Sequence, residues 1–133
     1  MKALEARSLC EAFQITSAAR GDAMAVRSAD GATQLTYAQL RDEVERVARG
    51  LHRLGVRAGD TVGLMMVNRP EFHVVDLAAI HLGATPFSVY NTSSPEQIEY
   101  LFGDAGNRLA IVERAFAERI PDGPDVVLVE ELD

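Results

Sequence analysis

Thr61-Val62-Gly63-Leu64-Met65-Met66-Val67 is an uninterrupted apolar run, followed at once by Asn68-Arg69-Pro70-Glu71. A strand buried on both faces reads this way, as in a parallel sheet covered by helices. Proline is favoured at the first helical position, so Pro70 marks a helix start. The segment from Glu71 to Leu82 is apolar nearly all round, which predicts a deeply buried helix ended by Gly83. Strand followed by buried helix is half of a βαβ unit, and the flanking sequence supplies the rest.

Upstream, Thr36-Tyr37-Ala38-Gln39 has the form of a capping box. Leu40, Val44, Val47, Ala48, Leu51 and Leu54 then recur at helical spacing, and Gly55 stands where a left-handed cap is wanted. These signals predict a helix over 37–54. Before it, Met24 to Arg27 and Gln34 to Thr36 flank Asp30-Gly31 and read as a small hairpin.

Downstream, Thr85 to Tyr90 is a second strand, and Pro86 places it at a strand start or a sheet edge. Ser94-Pro95-Glu96-Gln97 repeats the capping box, predicting a helix from Pro95 to about Asp104 that Gly106-Asn107 closes. Leu109 to Val112 and Val126 to Val129 are further strands, with a short helix expected over Glu113 to Ile120. The alternation predicts a three-layer α/β fold, with a mainly parallel sheet flanked by helices and a small N-terminal hairpin. An apolar strand so near Asp133, with no element to cover the sheet edge, suggests part of a larger domain.

The 133 residues suit one domain or one large subdomain. A net charge of −7 disfavours nucleic-acid binding and electrostatic attachment to anionic membranes. Glu5, Arg7 and Glu11 break any signal-peptide core. Asp76, His81, Gly83 and Pro86 spoil the longest apolar stretch as a membrane span. The simplest expectation is a cytoplasmic protein. Cys10 is the single cysteine and forms no internal disulfide.

Chemistry-bearing residues are sparse. There is no glycine-rich phosphate loop. Asn91-Thr92-Ser93-Ser94 ahead of a helix could hold an anion, yet capping chemistry alone explains those residues. His73 and His81 lie eight apart, His73 with Asp76 makes only two ligands, and His52 stands alone, so structural histidines are favoured over a zinc site. Cys10 has no catalytic partner in the pattern. Arg41, Asp42, Glu43, Glu45, Arg46, Arg49 and Arg53 describe a solvated helix face, with Asp42–Arg46 and Glu45–Arg49 as i,i+4 pairs. Met65 and Met66 read as core filler.

The order of segments is nevertheless distinctive. Leu35-Thr-Tyr-Ala-Gln-Leu40, Val47-Ala-Arg-Gly-Leu-His-Arg-Leu-Gly55 and Val56-Arg-Ala-Gly-Asp-Thr-Val-Gly63 are followed by Asn68-Arg-Pro-Glu-Phe72 and Ala79-Ile-His-Leu-Gly-Ala84. Tyr90-Asn-Thr-Ser-Ser-Pro-Glu-Gln-Ile-Glu-Tyr-Leu101 and Asp104-Ala-Gly-Asn-Arg-Leu109 complete the series. Together, over roughly Ala23 to Val112, these segments resemble the opening of the AMP-binding (adenylate-forming) acyl-CoA synthetases, most of all the fatty-acid CoA ligases.

The resemblance implies a two-step reaction: a carboxylate and ATP give an acyl-adenylate with magnesium, and coenzyme A then displaces AMP. It also implies that the phosphate loop ending in Pro-Lys-Gly and the C-terminal lysine lie in later segments. Lys2, the only lysine, precedes the matching region. The resemblance therefore assigns no catalytic, cofactor-binding or metal residue to this chain. Residues 1–133 are expected to be an N-terminal subdomain, inactive alone, whose partner is the remainder of the enzyme. Any ligand contact would come from Asn68 and from Asn91 to Ser93, and exposed apolar surface would favour self-association. The alternatives are a stand-alone α/β binding or regulatory module, or an unrelated flavodoxin-like domain.

Overall fold

A computed structural model describes residues 2–132. Its elements are α1 (Leu9–Ala19), β1 (Met24–Arg27), β2 (Gln34–Thr36), α2 (Tyr37–Arg53), β3 (Thr61–Met65), α3 (Pro70–His81), β4 (Thr85–Ser88), α4 (Pro95–Ala105), β5 (Leu109–Val112) and β6 (Asp125–Leu128). β1 and β2 form the expected antiparallel hairpin. The other strands form one parallel sheet in the order β4-β3-β5-β6. The sheet has helices on both faces, so the fold is three-layered α/β, with Pro86 on an edge strand as expected.

Local chemistry explains the helices. Thr36 Oγ1 accepts the Gln39 N–H at 3.2 Å, and Gln39 Oε1 accepts the Thr36 N–H at 2.9 Å, so the predicted capping box starts α2. Leu40, Val44, Val47 and Leu51 are its buried stripe. Gly55 closes the helix at φ +98°, a conformation that costs a Cβ-bearing residue.

The strands alternate strictly. Val62, Leu64, Leu109 and Ile111 point to α1, α2 and α3, sharing a core with Phe13, Leu51, Val75 and Ala79. Met65, Ala110 and Val112 point the other way, to Ile98 and Phe102 of α4. The crossover through α3 runs from β3 outward to β4, and the crossover through α4 returns past β3 to β5. Right-handed connections running in opposite directions place their helices on opposite faces, as seen here.

Several local expectations need correction: β4 ends at Ser88 and not Tyr90, and the last strand is Asp125–Leu128 and not Val126 to Val129, since Val129 begins a 3-10 turn. β3 ends at Met65, not Val67, because the chain turns away to meet Glu113. The segment after β5 is a 3-10 helix, Arg114–Arg119. α3 is only partly buried: Val74, Val75, Ala78 and Ala79 are enclosed, while Glu71, Asp76 and His81 reach partial exposure and His73 is exposed.

Candidate functional site

Open parallel sheets bind ligands beyond the carboxyl ends of their strands, where the chain order reverses. Here that point lies between β3 and β5, because α3 leaves β3 on one face and α4 reaches β5 from the other. The residues there come from the turn after β3, the end of β5 and the turn after β6.

Glu113 stands at this crevice. Its N–H donates to the Met65 carbonyl at 2.9 Å, and its Oε1 accepts the Val67 N–H at 2.8 Å. Its side chain is only 12% exposed and lies 3.5 Å from the Arg69 guanidinium. Arg69 also donates to Glu71 at 2.8 Å and lies 3.9 Å from Glu130. Both Glu130 oxygens accept the Arg114 N–H at 3.0 Å, and Arg114 pairs with Glu131 at 2.8 Å. The hydrogen bond to Glu71 raises the Arg69 pKa, and the same bond holds the Glu71 carboxyl below the usual range. Glu130 is also lowered: burial opposes this, but backbone N–H groups, Arg69 and Arg114 prevail. A backbone N–H and a guanidinium are what an external anion would use, and here an internal carboxylate has taken both.

The second loop, after β4, is satisfied from within as well. Ser94 Oγ accepts the Gln97 N–H at 3.2 Å, and Gln97 Oε1 accepts the Ser94 N–H at 2.8 Å. Ser93 is buried, with its N–H on the Tyr90 carbonyl. Arg119, stacked over the Phe116 ring, donates to the Asn91 carbonyl and to the Ser93 carbonyl at 3.0 Å. Asn91 to Ser94 is thus a capped loop clamped by a guanidinium. Nothing in the sequence pattern points to Arg119.

Residues 13–132 match the family model described as AMP-binding enzyme. The chain belongs to the AMP-binding enzyme family. It is 48% identical over 113 residues to the uncharacterized protein Rv1549 of Mycobacterium tuberculosis, covering 85% of this chain and 65% of that one. It is 37% identical over 100 residues to a medium/long-chain-fatty-acid–CoA/3-oxocholest-4-en-26-oate–CoA ligase of Mycobacterium marinum, covering 72% of this chain and 18% of the ligase. Among solved structures, the anthranilate CoA ligase AuaEII bound to anthranoyl-AMP superposes with a TM-score of 0.85 at 25% identity, over 96% of this chain and 26% of that one. The Bacillus subtilis O-succinylbenzoate coenzyme A synthetase, in complex with ATP and magnesium ion, shares the fold with a TM-score of 0.83 at 21% identity, over 90% of this chain and 33% of that one. The fold is therefore part of a larger adenylate-forming architecture.

The residues at the crevice do not fit a nucleotide. Glu71, Glu113 and Glu130 surround Arg69, and carboxylates repel a triphosphate. Among the described residues no group of three or more His, Cys, Asp or Glu is placed to hold a metal.

The histidines are accounted for otherwise. His81 Nδ1 lies 2.6 Å from the Leu77 carbonyl, to which it donates, and Nε2 lies 3.1 Å from Gln14 Nε2. The ring packs edge-on against Phe13, tying α1 to α3. His73 packs against Phe72, and Asp76 beside it is raised by burial, with His73 opposing. His52 is exposed near the end of α2. Cys10 lies half-buried on α1, and burial pushes its thiol up, away from a nucleophilic thiolate. On the charged face of α2, Arg49 pairs with Glu45 at 2.6 Å as expected, whereas Arg46 reaches back to Glu43 at 2.6 Å and Asp42 lies 3.8 Å from Arg41. Among the described residues no helix is long and apolar enough to cross a membrane.

Proposed function

We propose that residues 1–133 form the N-terminal scaffold subdomain of an ATP-dependent fatty-acyl-CoA ligase, which makes an acyl-adenylate and then a thioester, and that this chain has no activity alone. The observation that carries the reading is the crevice between β3 and β5. It has the location of a ligand site, yet Glu113 and Arg69 are committed there to internal bonds. Identity of 37% to a fatty-acid CoA ligase supports the substrate class. On this reading ATP, magnesium and coenzyme A are handled by the remainder of the enzyme, and the protein works in the cytoplasm.

The test is ATP–pyrophosphate exchange by the purified chain, with a medium-chain fatty acid, ATP and magnesium. No exchange above the protein-free rate is expected. Exchange that rises in proportion to this chain overturns the reading.

One observation favours a second reading, a stand-alone module that keeps the scaffold without chemistry. The Rv1549 relative is itself short, since this chain covers 65% of it. An antibody to this segment separates the two readings. A product in the source cells several times larger than 14.5 kDa supports the ligase scaffold, and one near that mass supports the module.

A further inference from the structure

The segment that follows β5 is bonded to the turns after all the other strands of the parallel sheet. Glu113 accepts the Val67 N–H, from the turn after β3, at 2.8 Å. Arg114 donates its N–H to both Glu130 oxygens, after β6, at 3.0 Å, and its guanidinium to Glu131 at 2.8 Å. Arg119 donates to the Asn91 carbonyl and, at 3.0 Å, to the Ser93 carbonyl in the loop after β4. Parallel pairing puts the four carboxyl ends on one side of the sheet, so a single short segment can reach every turn there.

The turns do not depend on this segment equally. Those after β3 and β6 also meet directly, since Arg69 lies 3.9 Å from Glu130. The loop after β4 has no such link: among the described residues, only Arg119 bonds Asn91 and Ser93 to the segments after β3, β5 or β6. Between these anchors the segment is held as one piece. The Phe116 N–H donates to the Glu113 carbonyl at 2.9 Å, and the Ile120 N–H to the Ala117 carbonyl at 3.2 Å. Phe116 carries the Arg119 guanidinium 4.9 Å from its ring centroid and packs with Ile120 against the smaller core. A 3-10 helix over Arg114–Arg119 is long for its type, and the poorer geometry of its hydrogen bonds lets it shift without unfolding its neighbours.

We propose that Glu113 to Arg119 is a coupling hub for the carboxyl end of the sheet. A displacement of the loop after β4 passes through Arg119 and the 3-10 helix to Glu113 and Arg114, and from them to the turns after β3 and β6. Arg119 and Glu113 are its positioning residues. Ligands of open parallel sheets meet these turns, so whatever orders one of them biases the others. The proposal goes beyond the scaffold reading and holds whether or not the chain serves acyl activation.

Amide hydrogen exchange of the whole chain, read residue by residue, tests the coupling. Arg119→Met removes the clamp but keeps an unbranched side chain beside Phe116. Exchange at Ser93 is expected to quicken by about tenfold, and at Val67 and Arg114 by about threefold, with Leu51 and Ile111 unchanged. Coupling is reciprocal, so Glu113→Ala should quicken exchange at Ser93 by about threefold. Arg119→Lys keeps the charge but loses the forked donor, and should give the same pattern at smaller size. Faster exchange confined to Ser93 overturns the proposal, because the turns are then held separately. A rise shared equally by Leu51 and Ile111 also overturns it, because the turns then open only with the whole molecule. If Arg119→Met does not fold, Arg119→Lys decides by the same comparison.

Discussion

The two faces of the parallel sheet are built to different depths. Among the described residues, one face carries α1, α2 and α3 and a core of 17 buried residues, whereas the other carries α4 and a core of six. A thick core holds each side chain among many neighbours, so a cavity made there closes poorly. A thin core relaxes more easily, yet each of its contacts is a larger share of what holds it. Ile98 and Phe102 are the only buried residues of α4, so its docking depends on two side chains. α2 spreads its docking over four.

The largest expected effect tests the thick face. Leu64 is 1% exposed and points into the larger core. Leu64→Ala should cost about 3–4 kcal/mol in urea unfolding, because the site cannot collapse. A loss below about 1 kcal/mol would show that this face is as pliable as the other.

Next comes overpacking of the thin face. A Cβ built on Gly63 would stand 3.0 Å from Phe102 Cε1 and 3.2 Å from Asn107 Nδ2. Gly63→Ala should therefore destabilise by about 1–2 kcal/mol. Combined with Phe102→Leu it should show a coupling of about 1 kcal/mol, since both changes act on one contact. Strict additivity would mean that the ring moves aside without cost.

Caps sharpen the comparison further. Thr36→Ala and Ser94→Ala each remove one side-chain acceptor and should each cost about 1 kcal/mol. Their local consequences should differ. Hydrogen exchange should rise through the first turns of α4 but stay confined to the first turn of α2, because α2 has more buried anchors. Equal spread in both helices would break the contrast.

The smallest effect concerns Asp76 on α3, where burial raises the carboxyl above its usual range. A raised folded value means that the charged form costs stability, a cost that appears as pH climbs through the range between the unfolded and folded values. Asp76→Asn should therefore stabilise at neutral pH by about 0.5 kcal/mol, discounted for its partial exposure, and the gain should vanish in acid. Thermal melts of both proteins at the two pH values measure it. A gain that persists in acid would assign the effect to packing.

Much of this architecture was legible because it is written locally. Both capping boxes, the αL glycines at Gly55 and Gly106 and the hairpin before α2 depend on residues within a few positions of one another. The apolar runs at Thr61 and Leu109 show that those strands are buried on both sides, and Pro86 marks an edge. The candidate site was legible only by its place in the topology. The sequence pattern singled out Asn68 and the loop from Asn91 to Ser93, and it missed Glu113, Arg69 and Arg119, which carry the bonds there. The apolar Met66-Val67 pair extended the expected strand too far for the same reason: a distant carboxylate takes the Val67 N–H.

By itself, then, the order of residues determined the element types, their caps and the parallel α/β class, since periodicity and end-capping act within one or two turns. It also determined the net charge and the single lysine. Only tertiary structure decided that the polar groups at the crevice between β3 and β5 are bonded to one another. Glu113 meets Val67 across 46 residues, and Arg119 meets Asn91 and Ser93 across 28 and 26. Such contacts have no period or spacing in the chain. They exist because parallel strands bring their carboxyl ends together, and only there do side chains so far apart in sequence come within reach of one another.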